Sequence, residues 1–464
     1  MSEKIALDLQ PKLSPDASVT NETPSRWSTY DAPKSIATIK VASENDVAVT
    51  VQYCNGHNLP FLAQNGGNGW AAFPKTHNLV IIDLSQLNNI TVAEDKTTAV
   101  IGGGAKVRET ISAADAAGVL VLTGNCNEVG TLGAILGGGY GNLLGQFGFG
   151  VDNILELRVV TADGEHRTIS ASQEKDLFWA MRGAGPNFGI VTAATVKAYP
   201  MSQNERSAWC GALIYSDEKL EQVVEAIQNL ELTADMVVFM YFASAGPPDH
   251  APVVIVTPWL FQGNPDKGRE AFKSLYDIGP MIENTAVLPY TEWVRMCLDP
   301  SMLWIGNTGA NPFGAHSQRK PAFGAGLDHL DGRLWREVWN KFSDFQKKPS
   351  AHASAVILEA YPLIDKRHVG EPEASFPHRS VRFMSAILPW YTDDCLDSEA
   401  ATLGQDVREL WRKNSGRRKP ASYINFAHGD ESLEEVYGEN LPRLQELKRR
   451  WDPENRFGQW FSLH

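Results

Sequence analysis

The chain has 464 residues, of which 43% are hydrophobic and 21% are charged, an ordinary composition for a globular protein of two or three domains. Its formal net charge of −13 at pH 7 argues against nucleic acid as a partner, because phosphate backbones bind to basic surfaces. No apolar run reaches the roughly 18 residues of a membrane span. Membrane and nucleic-acid binding are therefore not expected.

The N-terminal segment and the cysteines bear on the compartment. Residues 1–28 lack the apolar core of a signal peptide and are rich in Ser, Pro, Asp and Thr, so we expect a flexible N-terminal arm. The five cysteines include no Cys-x-x-Cys pair, which fits a reducing compartment and excludes a zinc framework. The sequence thus predicts a cytoplasmic protein without a metal site.

Short strands, helices and glycine turns alternate between residues 29 and 200. Apolar patterning predicts strands at 36–41, 59–63, 79–84, 99–103, 154–161, 166–170 and 188–197, and helices at 44–54 and 176–182. This order lacks the strict strand–helix alternation of a Rossmann sheet. We therefore expect an α+β domain.

The composition changes near residue 200, which suggests a second domain over residues 201–415. Strands are predicted at 237–243, 253–257 and 381–390, and amphipathic helices at 217–230 and 334–347. This pattern predicts an antiparallel sheet flanked by helices. Residues 416–464 form a C-terminal segment with a predicted short strand at 423–426 and a charged helix at 433–450.

The most informative stretch runs from Gly124 to Gly150, where ten of 27 residues are glycine and the spacers are mostly apolar. Such a run indicates backbone brought close to a bulky, flat ligand, although a tightly packed glycine turn without a ligand is the alternative. Earlier in the chain, the loop Gln64-Asn65-Gly66-Gly67-Asn68-Gly69-Trp70 follows a predicted strand. Its backbone N–H groups suit a phosphate, and an ordinary β-turn is equally compatible.

Several motifs follow one another in a characteristic order: GGNG at 66–69, GNCNEVG at 124–130, GGGYG at 137–141, DLFWAMRGAGPNFGIVT at 176–192, FPHR at 376–379, YINF at 423–426 and LKRRWDPENRF at 447–457. In these motifs the chain resembles the berberine-bridge-enzyme-like branch of the FAD-linked oxidases. The resemblance implies a two-part FAD-binding domain of the PCMH type, formed by residues 29–200 and 416–464. The substrate domain would be residues 201–415.

The function implied by the resemblance is an FAD-dependent oxidoreductase that acts on a small natural product, with O₂ as electron acceptor. Its oligomeric state stays open. The resemblance and the glycine pattern together predict that FAD is bound by a set of residues from both parts of that domain: Asn65, Gly66, Gly67, Asn68, Gly69, Trp70, Leu84, Gly124, Cys126, Val129, Gly130, Gly133, Gly137, Tyr140, Gly141, Ile190, Val191, Tyr423 and Asn425.

The chain departs from this family at the positions that attach the flavin. The family's usual attachment histidine is replaced by Asn68, which cannot form the bond, whereas Cys126 matches the position of a second attachment residue. A single bond through Cys126 and a dissociable FAD both remain open. An inert, buried thiol is the commoner fate of a free cysteine.

The family's base positions also differ. Phe426 stands where the family has a tyrosine, and alignment on Trp390 places Ser385 where the plant alkaloid enzymes have a glutamate. Neither side chain takes up a proton at neutral pH.

The candidates for a base are therefore other residues of this chain, namely Tyr423, His378 and Tyr361, with Glu359 as a fourth. His378 has a suitable ordinary pKa of about 6.5, although a histidine beside an arginine in a strand more often has a structural role. The missing attachment histidine and the altered base positions together motivate a second hypothesis, a redox-neutral cyclase or isomerase on the same scaffold. A non-catalytic binding protein is the third.

Overall fold

A computed structural model describes residues 2–70, 79–293, 316, 318–363 and 374–464. The strands are β1 (Ser18–Thr20), β2 (Ser35–Lys40), β3 (Phe61–Gln64), β4 (Leu79–Asp83), β5 (Ile90–Val92), β6 (Thr98–Gly102), β7 (Val119–Leu120), β8 (Ile154–Val160), β9 (His166–Ser170), β10 (Ile190–Lys197), β11 (Tyr199–Pro200), β12 (Ser207–Tyr215), β13 (Met236–Ser244), β14 (Pro252–Phe261), β15 (Ile282–Pro289), β16 (Phe323–Leu327), β17 (Ala355–Ala360) and β18 (Phe383–Leu388).

The α-helices are α1 (Ser2–Leu9), α2 (Glu44–Gly56), α3 (Val107–Ala117), α4 (Thr131–Leu136), α5 (Leu144–Phe147), α6 (Lys175–Ala184), α7 (Leu220–Asn229), α8 (Pro265–Ala271), α9 (Lys273–Asp277), α10 (Gly332–Gln346), α11 (Asp397–Lys413), α12 (Leu433–Tyr437) and α13 (Leu441–Trp451). Among the residues that the structure describes, no helix combines the length and the apolar character needed to cross a membrane.

The first 200 residues form two principal sheets, as the α+β prediction requires. The first sheet has the order β1-β2-β4-β3, with β2 and β3 parallel to β4. The second is antiparallel, in the order β5-β6-β10-β8-β9. The helix predicted at 44–54 is α2, which begins at Ser43 because the side chain of Ser43 accepts a hydrogen bond from Asp46 N.

Strands β7 and β11 form a small antiparallel pair, and the strands after residue 200 that do not belong to it form one antiparallel sheet of seven strands, in the order β15-β12-β14-β13-β17-β18-β16. Its central strands are buried on both faces. On β13, Phe239 and Tyr241 point into the core shared with the first 200 residues, whereas Val238 and Met240 point into a second core that includes residues of α7, α10 and α11. Because side chains alternate along a strand, every residue of such a strand is committed to one of the two cores.

Three segments differ from the sequence predictions. The single helix predicted at 433–450 is divided into α12 and α13 by the 3-10 helix Gly438–Asn440. Residues 423–426 do not form a strand; Ile424–Phe426 is a 3-10 helix. The N-terminal segment is more ordered than a flexible arm, because α1 buries Ile5 and Leu9, and Trp27 is 3% exposed. The sequence indicates α1 only weakly, through the helical spacing of Ile5 and Leu9 within an otherwise polar segment.

The C-terminal segment is held by a buried ion pair, Lys448 with Asp452, whose side chains are both fully buried. Lys448 Nζ also donates hydrogen bonds to the backbone oxygens of Asn187 and Phe457, at 2.8 and 3.3 Å. Burial lowers the pKa of Lys448. The pair fixes the turn after α13 against the segment that leads into β10.

We expect Lys448→Met to destabilise the protein by about 3–5 kcal/mol, because it leaves the Asp452 carboxylate buried without its cation. Lys273→Met is the matched control, since Lys273 pairs with Asp277 on an exposed face of α9 and should cost less than about 1 kcal/mol. Denaturant unfolding followed by circular dichroism measures both. Equal losses for the two variants would contradict the assigned role of the buried pair.

Candidate active site

A cavity of about 370 Å³ lies between the glycine-rich segment and the inner face of the seven-stranded sheet. It brings together most of the residues that the sequence predicts for the site, from loops that are far apart in the chain. The predicted residues that line it are Asn65, Gly66, Gly67, Asn68, Gly69, Trp70, Leu84, Gly124, Cys126, Val129, Gly130, Gly133, Gly137, Tyr140, Ile190, Val191, Glu359, Tyr361, Tyr423 and Asn425.

Asn65 presents an acceptor that the protein does not use. Its Nδ2 donates to the backbone oxygens of Gly103 and Ala105, at 3.0 and 3.1 Å, which fixes the orientation of the amide. Its Oδ1 is buried and has no hydrogen-bond partner within the described part of the chain. A buried acceptor without a partner is costly, so this atom suits a ligand hydroxyl or N–H group.

Asn68 joins the two loops that border this end of the cavity. Its Nδ2 donates to the backbone oxygens of Gly66, at 3.2 Å, and Glu128, at 2.9 Å. The amide is therefore a structural link between the loop at 64–70 and the segment that carries Cys126. The Cys126 thiol is free, and burial raises its pKa.

Gly133 leaves open space on the cavity side of α4. A Cβ atom at Gly133 would meet nothing within 4 Å, although Gly133 lies in the middle of a helix. Gly124 is similar, since the nearest atom to a Cβ there would be the Cβ of Ala134, at 3.7 Å. This surface of small residues can accept a flat ring system against the main chain.

The opposite wall carries a buried carboxyl group, Glu359 on β17. Ile357 and Tyr361 project into the core shared with the first 200 residues, so alternation directs Glu359 to the same side. Tyr361 Oη donates a hydrogen bond to Glu359 Oε2 at 2.9 Å. Burial raises the pKa of Glu359 from 4.5 to about 7, and the Tyr361 hydrogen bond opposes that shift.

Ser385 does not occupy a base position in the structure. It pairs with Leu358 across β17 and β18, and alternation places it with Phe383 and Ile387, which pack in the second core. Its Oγ donates to the backbone oxygen of Ala325 at 2.9 Å. The carboxyl group that faces the cavity is instead on the neighbouring strand, at Glu359.

Tyr423 and Asn425 return from the C-terminal segment and line the cavity. Tyr423 Oη accepts hydrogen bonds from Gly139 N, at 3.3 Å, and from Asn425 Nδ2, at 2.8 Å. Burial raises the pKa of Tyr423 to about 12, so it is neutral near pH 7. Tyr423 can donate a hydrogen bond but is a poor base.

Two predicted residues do not line the cavity. His378 is buried and its Nε2 contacts the backbone oxygen of Val436 at 3.0 Å, while burial lowers its pKa to about 4. Its link to the site is indirect, because its backbone oxygen accepts a hydrogen bond from Tyr140 Oη at 3.2 Å. Gly141 is needed for close approach, since a Cβ there would lie 2.0 Å from the backbone oxygen of Thr123.

An aromatic wall, formed by Trp27, Trp70 and Phe426, lines another part of the cavity. The ring centroids of Trp27 and Trp70 are 5.7 Å apart, and those of Trp70 and Phe426 are 4.5 Å apart, with interplanar angles of 18° and 11°. Of these residues only Trp70 was predicted for the site. Trp27 was missed because it lies in the segment expected to be a flexible arm.

Asn125, Arg26, Gln459 and Trp460 also line the cavity and were not predicted. Asn125 lies between two predicted residues, Gly124 and Cys126, so its place in the GNCNEVG motif was an available signal. The other three lie near the ends of the chain and become part of the site only through folding. Within the described ranges, no cluster of three His, Cys, Asp or Glu side chains is placed to hold a metal ion.

Comparison with known protein families agrees with this geometry. The FAD binding domain family matches residues 35–170, and the family described as berberine and berberine like matches residues 422–460. The FAD-linked oxidoreductase OXR1 of Pyricularia oryzae is 32% identical over 440 residues, which cover 93% of this chain and 84% of that protein.

Solved structures share the fold at low identity. The 6-hydroxy-D-nicotine oxidase of Arthrobacter nicotinovorans has a TM-score of 0.80 at 21% identity, with 97% of this chain and 98% of that chain covered. The xylooligosaccharide oxidase of Myceliophthora thermophila has a TM-score of 0.81 at 18% identity, with 100% of this chain and 99% of that chain covered.

The open face at Gly133 and the unused acceptor of Asn65 fit a flavin ring and a hydroxyl-bearing chain. The chain belongs to the berberine-bridge-enzyme-like FAD-linked oxidoreductases and has a PCMH-type FAD-binding fold, with FAD as its cofactor.

Proposed function

We propose that this protein oxidises an alcohol or an amine of a small, largely apolar natural product, with Glu359 as the base. The observation that carries the proposal is the placement of Glu359, a buried carboxyl group on the cavity wall with a pKa of about 7. A base with a pKa near the working pH combines a useful ionised fraction with enough basicity to accept a proton.

The residues around Glu359 determine how it acts. Tyr361 occupies Oε2, so we assign Oε1 as the oxygen that accepts the substrate proton. The aromatic wall of Trp27, Trp70 and Phe426 provides an apolar surface for the substrate and helps to exclude water. FAD, when bound, supplies the acceptor for the two electrons that leave the substrate carbon.

The site also supports assignments for the cofactor. Asn65 Oδ1 and the open face at Gly133 would hold the hydroxyl-bearing chain and the flavin ring, and Tyr423 and Asn425 would close the ring site. The remaining residues predicted to bind FAD line the same cavity, except Gly141. We propose O₂ as the electron acceptor, which an oxygen electrode tests directly.

The redox-neutral hypothesis depended on the lack of a base at the family positions. Glu359 offers one, so we favour oxidation. The structural neighbours include an oxidase of 6-hydroxy-D-nicotine and an oxidase of xylooligosaccharides. Benzylic alcohols and amines are the probe compounds, because the proposed substrate carries an alcohol or an amine group on a largely apolar molecule. Anaerobic bleaching of the flavin by one of them supports oxidation, whereas product formation without bleaching or O₂ uptake would overturn the proposal.

With the probe compound that is turned over, we expect kcat/KM to rise with pH through a value near 7 and to level off above it, because Glu359 must be ionised to accept a proton. Glu359→Gln should lower kcat/KM by about 10²–10⁴-fold and remove the acid limb. An unchanged acid limb in Glu359→Gln would exclude Glu359 as the base. Full FAD content of the variant is the control for folding.

We expect Gly133→Leu to fold and to lose FAD, because its side chain would occupy open space in the cavity while α4 gains a better helix former. Gly56→Leu is the matched control, since a Cβ at that helical glycine also meets nothing within 4 Å and the residue does not line the cavity. The ratio of flavin to protein absorbance measures the effect. Full flavin content in Gly133→Leu would contradict the placement of the ring.

We propose that FAD is bound without a covalent link, because Asn68 cannot form one and the raised pKa of Cys126 keeps its thiol protonated near pH 7. Acid precipitation should then release the flavin into the supernatant from both the wild type and Cys126→Ala. Flavin that stays with precipitated wild type and leaves precipitated Cys126→Ala would show instead that Cys126 is the attachment point.

A further inference from the structure

A chain of three hydrogen bonds leads from the glycine-rich segment to Glu359. Asn142 N donates to Asn125 Oδ1 at 3.0 Å, Asn125 Nδ2 donates to Tyr361 Oη at 3.1 Å, and Tyr361 Oη donates to Glu359 Oε2 at 2.9 Å. The four residues are buried, with exposed fractions of 4% to 9%. This chain connects the FAD-binding part of the protein to the substrate sheet.

The direction of the chain is fixed at its first bond. A backbone N–H group can only donate, so the atom of Asn125 that faces Asn142 must be the amide oxygen. The NH₂ group of Asn125 therefore points to Tyr361 and occupies the phenol oxygen as an acceptor. The single hydroxyl proton of Tyr361 is then directed to Glu359, which must accept it.

We infer that Asn125 is a positioning residue that acts through Tyr361, holding the phenol proton on Glu359 and so favouring the ionised form of the base. This inference rests on the proposed function, because Glu359 is the base assigned there. A hydrogen bond to the charged form of an acid favours that form, and burial acts in the opposite direction. Asn125 would thus limit how far burial raises the proton affinity of Glu359.

The hydrogen bond from Tyr361 is the main interaction that opposes the effect of burial on the pKa of Glu359. Its partners on the neighbouring strands are Phe239 on β13 and Met384 on β18, both apolar. Within the described part of the chain, the ionisable groups that act on Glu359 or on its partner Tyr361 are the phenols of Tyr140, Tyr241 and Tyr423. Burial raises the pKa of Tyr140 and of Tyr423 above the ordinary value of 10.

Two cations, Arg379 and Arg417, act on Tyr140, and both are paired with carboxylates. Arg379 forms a salt bridge with Asp152 at 2.7 Å, and Arg417 forms one with Asp328 at 2.6 Å. Their charge is therefore largely compensated close to its source.

The experiment is a pH titration of the purified, FAD-bound protein by infrared difference spectroscopy, which follows the C=O stretch of a protonated carboxyl group and needs no substrate. The band of Glu359 is the one that Glu359→Gln removes. In the wild type we expect it to titrate near pH 7. Tyr361→Phe should raise that midpoint by about one pH unit, and Asn125→Ala should raise it as well.

A double variant tests whether Asn125 acts through Tyr361. If it does, Asn125→Ala adds no further shift to Tyr361→Phe, since the proton that Asn125 directs is already absent. Additive shifts, or an unchanged midpoint in Asn125→Ala, would overturn the inference. Asn153→Ala is the control, because Asn153 is a buried asparagine that bonds the backbone oxygens of Phe147 and Phe149 outside the cavity lining.

If Asn125→Ala does not retain FAD, Asn125→Asp replaces it. This variant keeps the shape of the side chain and its bond from Asn142, but its carboxylate accepts the phenol proton instead of donating to Tyr361. The midpoint should then rise by at least one unit, and a constant or lower midpoint would overturn the inference.

The two proposals fail separately. In one case the infrared midpoint of Glu359 shifts in Asn125→Ala, but the kcat/KM profile of Glu359→Gln keeps its acid limb. That result would exclude only the role of Glu359 as base. The reverse result would exclude only the role of Asn125.

Discussion

The central strands of the seven-stranded sheet are buried on both faces, and this constraint determines which side chains reach the cavity. On β17, residues of one parity pack beneath α7, α10 and α11, and residues of the other parity face the FAD-binding half. A shift of one residue would bury Glu359 among the helices and bring Leu358 into the cavity. The large apolar area on both faces fixes the register, so a catalytic assignment on this strand depends on the fold of the whole sheet.

The protein accommodates two of its buried ionisable groups, Lys448 and Glu359, in different ways. Lys448 is paired with Asp452 and with two backbone oxygens, so its charge is matched within the interior. The influences on Glu359 are burial and one phenol hydrogen bond. A full ion pair would lower the pKa of a carboxyl group and make it a weak base, whereas burial alone would hold it in the acid form. The phenol gives an intermediate proton affinity, which general base catalysis requires.

Local sequence signals predict the cofactor loops, but they do not predict residues whose place in the site depends on contacts between distant parts of the chain. The loop at 64–70 and the segment at 124–141 were predicted because glycine-rich loops are local features, and nearly all of their predicted residues line the cavity. The ordinary pKa of histidine makes His378 a base candidate, and alignment on Trp390 places Ser385 at a base position of the family. The register of β18 directs Ser385 away from the cavity. His378 does not line the cavity either, because its ring is buried against the backbone of Val436. Trp27 and Trp460 lie near the chain ends and join the site through long-range contacts that sequence periodicity does not encode.

The raised pKa of Glu359 also links activity to stability. Its ordinary value is 4.5 and its value in the folded protein is about 7, so the folded state holds this proton more tightly than the unfolded state. The resulting contribution to stability is fully present below pH 4.5 and is lost as the pH rises through 7. The ionised form that would accept a substrate proton is therefore the form that weakens the fold. Tyr361, and Asn125 behind it, reduce this conflict because they stabilise the carboxylate without a neighbouring cation. In a more apolar site Glu359 would stay protonated at neutral pH. The proton would then favour the folded state, but the site would lack an active base.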